Sequence, residues 1–579
     1  MVVVSDNAAR RPGGIGRIRA RRGLQAEAER SPQEEPQRRS WPATLVGVPR
    51  AHAAFCSVLL LAIIVRVVAM LGYRPALWTS DSLRYVALAS HLAPYEIQPV
   101  GYPALLRLLR PFHSLTLVAG VQHAMGLATG TAVYVLLRKR CRFPAWAATL
   151  AAVPPLLSIY AIQIEHFLLS DTPFTFLVTI AIVLMLWTPL PRVWTCALVG
   201  LLLAAAVLVR SQGTLLAIPF IVYLGARLAS RSTFAGISRR LAAGKIVAGL
   251  LSMVIILAVP VLAYARWFER AHGSLQITTS TGAYLYSRVA PFADCAVIKP
   301  PADERWLCLS TPVSQRQHPG YYLWQPGSPL HHGPYPEFGV TVDRLATGFA
   351  LRAIEAQPTD YLRAVWHSTI ESFTPHRDLL GTGQSQYWYS FPLHTPQSVA
   401  SYAHVDPSSP VHSDYSYEHR DPSTRVVLPY VYLIRGYQNA IKLPGPVLGV
   451  IVLAGLLGMA VAWRRFGGQA LLPWLTGVTL IVTPAATVDF DARYLVSSVP
   501  AFCIAAAIGI KELTSIAALR GRGEDQQPRA DEPPGEGKQR DEGDRPGESA
   551  RARKGAQPVE SDELGERERP EEVVPSDAS

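Results

Sequence analysis

A chain of 579 residues that is 49% hydrophobic and only 17% charged, with its apolar residues gathered in blocks, is not a soluble multidomain enzyme, which would show amphipathic periods instead. Several blocks approach the ~20 residues that cross a bilayer core of about 30 Å, so the sequence reads as an integral membrane protein. The net charge of +12 does not signal nucleic acid, because the arginines cluster between apolar blocks and on the N-terminal arm, where the positive-inside bias accounts for them.

Residues 1–50 are rich in Arg, Glu, Pro and Gly and are expected to form a disordered basic cytoplasmic arm, with too little apolar surface to offset the entropy of ordering. Residues 51–267 read as the first part of a transmembrane domain. Its first helix spans about 53–71, with Arg66 near the outer end as a snorkelling anchor. A polar loop follows, from Thr79 to Pro103. In it Leu83, Val86, Ala87 and Leu92 share a helical face, and Leu105 to Arg110 form a second short segment; both suit helices lying in the interface.

Further apolar blocks run at about 115–137, 145–164, 174–187, 194–209, 214–228 and 246–267. Residues 268–443, rich in Pro, Gly, Tyr, His and Trp, interrupt the series as an extracytoplasmic, mixed and loop-rich domain, with helices expected over about 342–356 and 361–373. The last membrane helices fall within 444–512, giving about ten spans in all. Residues 513–579 form a mixed-charge tail, expected to be disordered and cytoplasmic.

Basic runs at Arg138–Arg142, at Arg192, from Arg227 through Arg231 to Arg240, and at Arg464–Arg465 all fall on one side of this topology, which places both termini in the cytoplasm. Cys295 and Cys308 then lie in an oxidising compartment and are expected to pair. None of the six cysteines forms a C-x-x-C pair, and His331, His332, His367 and His376 show no ligand spacing. No phosphate-cradling glycine motif is present, so cytosolic nucleotide use has no support.

The opposite side collects the polar residues that suggest chemistry: Asp81, Arg84, Glu165, His166, Asp171, Arg210, Asp489, Asp491 and Arg493, from four separate loops. Charges at helix mouths are functional by default, because membrane depth disfavours them without a partner. Ser80 or Asp81 caps the helix that starts at Leu83, or Asp81 is a catalytic base with Arg84 one turn on keeping it ionised, or both. Ser170 or Asp171 is expected to cap the helix that Pro173 begins, which is the chief reading of Asp171; Glu165 has no capping role and is the better substrate contact. Arg210 and Arg493 each offer a planar fork of donors suited to phosphate.

The order of these motifs resembles the GT-C membrane glycosyltransferases, specifically the bacterial branch similar to protein mannosyltransferases and lipid A aminoarabinose transferase. An acidic residue in the first external loop, Asp81, precedes a Pro-x-Gly-Tyr turn at Pro99–Tyr102; Ser170-Asp171 opens the fourth span; Arg210 to Gly213 joins the fifth and sixth; Arg493-Tyr494-Leu495 precedes the last. The likeness covers about residues 53–510.

It implies an all-α polytopic fold with interface helices and an extracytoplasmic domain. The implied activity is an inverting glycosyltransferase of hexosyl or pentosyl type, moving a sugar from a polyprenyl-phosphate donor to an envelope glycan, lipid or protein acceptor on the outer face of the plasma membrane. Asp81 would be the catalytic base. Arg84, Tyr85, Tyr102, Glu165, Asp171, Arg210, Arg493 and Tyr494 would bind substrate. No metal ligand is assigned; a divalent metal has weak support because Gln98 stands where relatives carry a second carboxylate. The rival readings are a lipid-linked polymer ligase or polymerase and a transporter or flippase. A transporter would favour internal repeats with midplane charges, and neither is visible here.

Overall fold

The computed structural model describes residues 44–230, 238–375, 390–394, 417–463 and 467–524. The expectations for the chain before residue 44, for Arg231, His376 and Arg464–Arg465, and for the tail from 525 lie outside the described residues. The chain falls into one compact unit, Met1–Arg520, and a second, Gly521–Ser579, of which 521–524 are described.

The fold is an all-α membrane architecture. In chain order the helices are α1 Thr44–Gly72, α2 Ser80–Ser90, α3 Gly101–Leu109, α4 Leu115–Val135, α5 Ala145–Leu157, α6 Ile159–His166, α7 Asp171–Trp187, α8 Val193–Val209, α9 Ala217–Ala229 and α10 Arg239–His272. They continue with α11 Thr281–Val289, α12 Cys295–Ile298, α13 Pro319–Trp324, α14 Pro329–His332, α15 Val340–Ala356 and α16 Pro358–Glu371. The last five are α17 Tyr430–Ala440, α18 Gly445–Val461, α19 Leu471–Thr487, α20 Ala492–Val496 and α21 Val499–Glu524.

Helix α1 therefore includes residues 44–50 of the expected arm, and α21 includes 513–524 of the expected tail. The second extension has a simple cause: Lys, Glu, Leu and Ala past residue 510 are strong helix formers, and nothing there interrupts the backbone ladder.

Among the described residues, four helices are long and apolar enough to cross a membrane, and two pairs bent at short breaks, α5–α6 by 45° and α17–α18 by 54°, raise the number to six. α7 and α8 are shorter apolar helices. The apolar block at 115–137 folds as α4, which carries a buried Gln122 and His123 in its interior. Those two side chains lower its hydropathy and, as shown below, tie it to the site.

The interior has separate cores. One fills the space among α4, α5, α7, α8, α9, α10 and α19. A second joins α2, α3, the start of α4 and α6 to Phe391, Tyr417 and α17. A third lies within α11–α15, around Tyr286, Leu323, Val342 and Phe349. The 268–443 segment, expected as mixed and loop-rich, is built from short helices where it is described. Its later part packs on α1 rather than on α11–α15. The two-residue strands β1 Tyr73–Arg74 and β2 Arg425–Val426 pair antiparallel and fasten that later part to the end of α1. A Cys295–Cys308 bond of 2.06 Å closes the loop between α12 and the following turn.

Helix α3 sits hard against α8. A Cβ at Gly101, its first residue, would stand 2.5 Å from the Leu208 carbonyl oxygen. Only glycine permits that approach, which fixes the Pro-x-Gly-Tyr turn and, with it, Gln98 just upstream.

Candidate active site

Two segments run side by side into the site. Leu77 and Phe167 form a parallel bridge, with Leu77 N–H donating to the His166 carbonyl at 3.0 Å and Leu168 N–H to the Leu77 carbonyl at 3.2 Å. Four residues further along, each segment presents a carboxylate: Asp81 in the first turn of α2 and Asp171 at the start of α7.

Gln122 of α4 holds this register. Its amide nitrogen donates to the carbonyls of Glu165 (2.8 Å) and Phe167 (2.7 Å), while its oxygen accepts from the Tyr102 hydroxyl at 2.8 Å.

The carboxylates meet two arginines. Arg493 Nη2 donates to Asp81 Oδ2 at 3.0 Å, and its Nε lies 3.3 Å from Asp171 Oδ1. Arg210 Nη1 lies 2.6 Å from Asp171 Oδ2, and its Nε donates to Gln212 Oε1 at 2.9 Å. The Tyr494 ring stacks under both guanidinium groups, 5.2 Å from that of Arg210 and 5.8 Å from that of Arg493.

The other oxygen of Asp81 accepts from the Gln98 amide at 2.9 Å. Asp171 is buried, whereas the Asp81 side chain keeps 25% exposure, so Asp81 is the carboxylate that an incoming group can reach. Burial disfavours the charged Arg493, but Asp171 and Asp81 outweigh it and hold its pKa well above the ordinary value.

Neither carboxylate caps its helix. Thr79 is the cap residue of α2, its N–H donating to the Ser82 hydroxyl at 3.0 Å, and Ser170 is the cap residue of α7. Of the two cap candidates read for α7 the cap residue is Ser170, for α2 it is neither Ser80 nor Asp81, and both carboxylates form ion pairs instead. A third carboxylate does cap a helix: Asp491 accepts the Arg493 N–H at 2.9 Å as α20 begins, although burial pushes its pKa up.

Arg84 does not serve Asp81. It is exposed and stacks its guanidinium 4.6 Å over the Tyr95 ring. The reason is competition, since a half-buried partner such as Arg493 binds a carboxylate better than an exposed neighbour one turn away.

Tyr85 and Tyr102 form the wall behind the charges. Both are buried, their rings meet edge-on at 4.8 Å, and the Tyr85 hydroxyl bonds Ser170 Oγ at 3.0 Å. Burial raises the Tyr85 phenol above its usual range.

Arg66 is the largest departure from the sequence reading. It is 2% exposed and donates through Nε and Nη2 to Glu165, both at 2.7 Å. His123 Nδ1 stands 2.8 Å from the same carboxylate, and His123 Nε2 reaches His166 Nδ1 at 3.0 Å. A snorkelling anchor is excluded because the guanidinium faces the interior, where only a partner makes a charge tolerable. Glu165, expected at the substrate, is thus saturated by Arg66 and His123. Gly126 on α4 leaves it room, since a Cβ there would collide with its carboxylate.

Glu165 also borders a cavity lined among others by Pro154, Thr172, Leu443, Leu495 and Val499. Residues 172 and 492 on its wall are chain neighbours of Asp171 and Arg493.

Two further residues at the site carried no sequence signal for contact. Gln98 was visible only as a missing carboxylate. Tyr284, on α11, has a phenol raised by burial, with the nearby Tyr494 and Asp81 adding to the shift; it lies in a stretch without any motif. Asp489 is set apart, its carboxylate 3.9 Å from both Arg288 and His318.

No protein-family model matches the sequence, and no curated protein matches it. Among solved structures the chain is similar to the archaeal oligosaccharyltransferase AglB from Archaeoglobus fulgidus in complex with an inhibitory peptide and a dolichol-phosphate, at 12% identity and a TM-score of 0.36, covering 83% of this chain and 52% of that one. The apo form of the Archaeoglobus fulgidus oligosaccharyltransferase matches at 14% identity and a TM-score of 0.34, covering 81% and 52%. The chain spans about half the length of these solved structures.

Proposed function

We propose that this chain is a membrane glycosyltransferase of the GT-C type. It takes a sugar from a polyprenyl-phosphate donor and passes it, with inversion, to an acceptor on the outer face of the cell membrane. The observation that carries this reading is the cluster in which Arg493 bridges Asp81 and Asp171 while Arg210 holds Asp171. Two planar guanidinium groups side by side suit a phosphate, and the reachable carboxylate beside them suits a proton acceptor. The adjoining cavity, mostly apolar, suits the first part of a lipid chain.

In this mechanism the donor phosphate draws Arg493 and Arg210 onto its oxygens, which frees Asp81 Oδ2. The acceptor hydroxyl gives its proton to Asp81 as its oxygen bonds the anomeric carbon. The bond from that carbon to the phosphate oxygen breaks, and the lipid phosphate leaves with the bonding pair, its charge stabilised by the two arginines. Gln98 keeps Asp81 oriented throughout.

In the donor-free arrangement the donor set does not fit a divalent cation. A guanidinium already bridges the two carboxylates, an amide occupies the remaining oxygen of Asp81, and no group of three or more His, Cys, Asp or Glu among the described residues is arranged to hold an ion. Transfer in isolated membranes is therefore expected to keep its full rate in excess EDTA; loss of activity restored by added metal contradicts this assignment.

Donor binding gives the direct test of the proposal. Charge-assisted hydrogen bonds in a partly dry site are worth about 1.5–3 kcal/mol each. Arg493→Ala is expected to weaken binding of a polyprenyl monophosphate by about tenfold or more. Arg493→Lys, which keeps the charge and loses the fork, falls between. Binding unchanged in a folded Arg493→Ala protein removes the phosphate from this site, and a requirement for a diphosphate donor points to the ligase reading instead.

A further inference from the structure

Helix α16 wears its apolar face outward. Leu362, Trp366 and Ile370 recur every four residues along one side and are 63%, 67% and 40% exposed. On the opposite side Ser368 is buried and accepts from Arg288 at 3.0 Å, and Ser372, just past the helix, is buried as well. A helix on a water-facing surface does the reverse, burying its apolar stripe and exposing its serines.

The anchoring of its two ends explains the inversion. Near its start, the Tyr361 hydroxyl donates to the Ala486 carbonyl at 3.1 Å, at the end of α19. Past its end, the Phe373 and Thr374 carbonyls press so closely on Gly445 that any Cβ there would collide, and Gly445 begins α18. Helix α16 is thus tied at its start to the end of one apolar helix and past its end to the start of another. Just past the helix, Phe373 packs on α18 at Gly445 and Gly449, and α18 itself exposes Val447, Val450 and Leu453. Arg363 and His367 flank the stripe at the surface, paired with Asp360 and Glu371.

We propose that α16 lies in the headgroup region of the bilayer, with Leu362, Trp366 and Ile370 inserted among the lipid chains. Tryptophan favours that depth, and an arginine such as Arg363 beside an apolar stripe suits a helix that lies in the interface. The covering partner is lipid because the end of α16 is held against the start of α18, which belongs to a candidate membrane span and exposes apolar side chains of its own. This holds whichever reaction the chain performs. It also gives this segment two jobs, since Ser368 and Ser372 line a small pocket that reaches Asp491 and Tyr494 beside Arg493.

The test is spin-label accessibility in the full-length protein, reconstituted in nanodiscs of phosphatidylcholine and phosphatidylglycerol. Single labels go at Leu362→Cys, Trp366→Cys and Ile370→Cys in a Cys56→Ser background, because Cys56 is the exposed free cysteine among the described residues. Glu355→Cys on α15, which is exposed, serves as the aqueous reference. Labels at 362, 366 and 370 are expected to collide freely with oxygen and to be shielded from a water-soluble nickel chelate, raising the oxygen-to-nickel ratio several-fold over position 355. Nickel accessibility equal to that at 355 overturns the proposal. So does an immobile label hidden from both reagents, which places a protein against this face. The three positions report independently, so one poorly folded variant leaves the result decisive.

Discussion

Asp81→Asn is expected to lower sugar transfer by about 10²–10⁴-fold, the usual contribution of a positioned general base, while leaving donor affinity within a few-fold of the native protein. The substitution is nearly isosteric. Its amide oxygen can still accept from Gln98, and α2 loses no cap, because Thr79 rather than Asp81 begins that helix. Arg493 keeps Asp171 as a partner. What disappears is the ability to take a proton. The measurement is release of polyprenyl phosphate from a polyprenyl-phosphate hexose in isolated membranes, where the native acceptor is present, followed by mass spectrometry. Near-native release from a folded Asp81→Asn protein dismisses Asp81 as the base.

Arg66→Ala is expected to destabilise the protein by about 3–5 kcal/mol, because it leaves the Glu165 carboxylate buried without its main partner. The size follows from burial: both side chains are almost wholly shielded, so neither water nor salt can substitute. Replacing both partners with methionine is expected to recover most of the loss, since an apolar pair carries no desolvation cost. Thermal unfolding of the detergent-purified single and double variants measures this. An Arg66→Ala protein that melts with the native one returns Arg66 to the role of a lipid-facing anchor.

The two predictions divide along what the sequence could disclose. The apolar helices and the charges at their ends were readable, because hydropathy and residue type are local properties. Asp81, Asp171, Arg210 and Arg493 were all singled out on that basis. Their pairing was not readable. Asp81 has a cation three residues away in Arg84, yet its partner is Arg493, 412 positions on. Choosing between them depends on burial, which arises only when α2, α7 and α20 are brought together.

The same holds for Arg66 and Glu165, 99 positions apart. An arginine within an apolar helix has the same sequence signature whether it faces lipid or protein. Helix α16 shows the converse: its stripe of Leu362, Trp366 and Ile370 predicts a helix with an apolar face, and only the anchors at Ala486 and Gly445 show which way that face is turned.

Determining the structure with a polyprenyl monophosphate bound tests the central claim most directly. The account predicts the phosphate within hydrogen-bond distance of both Arg210 and Arg493, Asp81 released from Arg493 and open to the acceptor side, and the first isoprene units in the cavity lined by Leu495 and Val499. A phosphate bound away from these two arginines, with Arg493 still bridging Asp81 and Asp171, contradicts it.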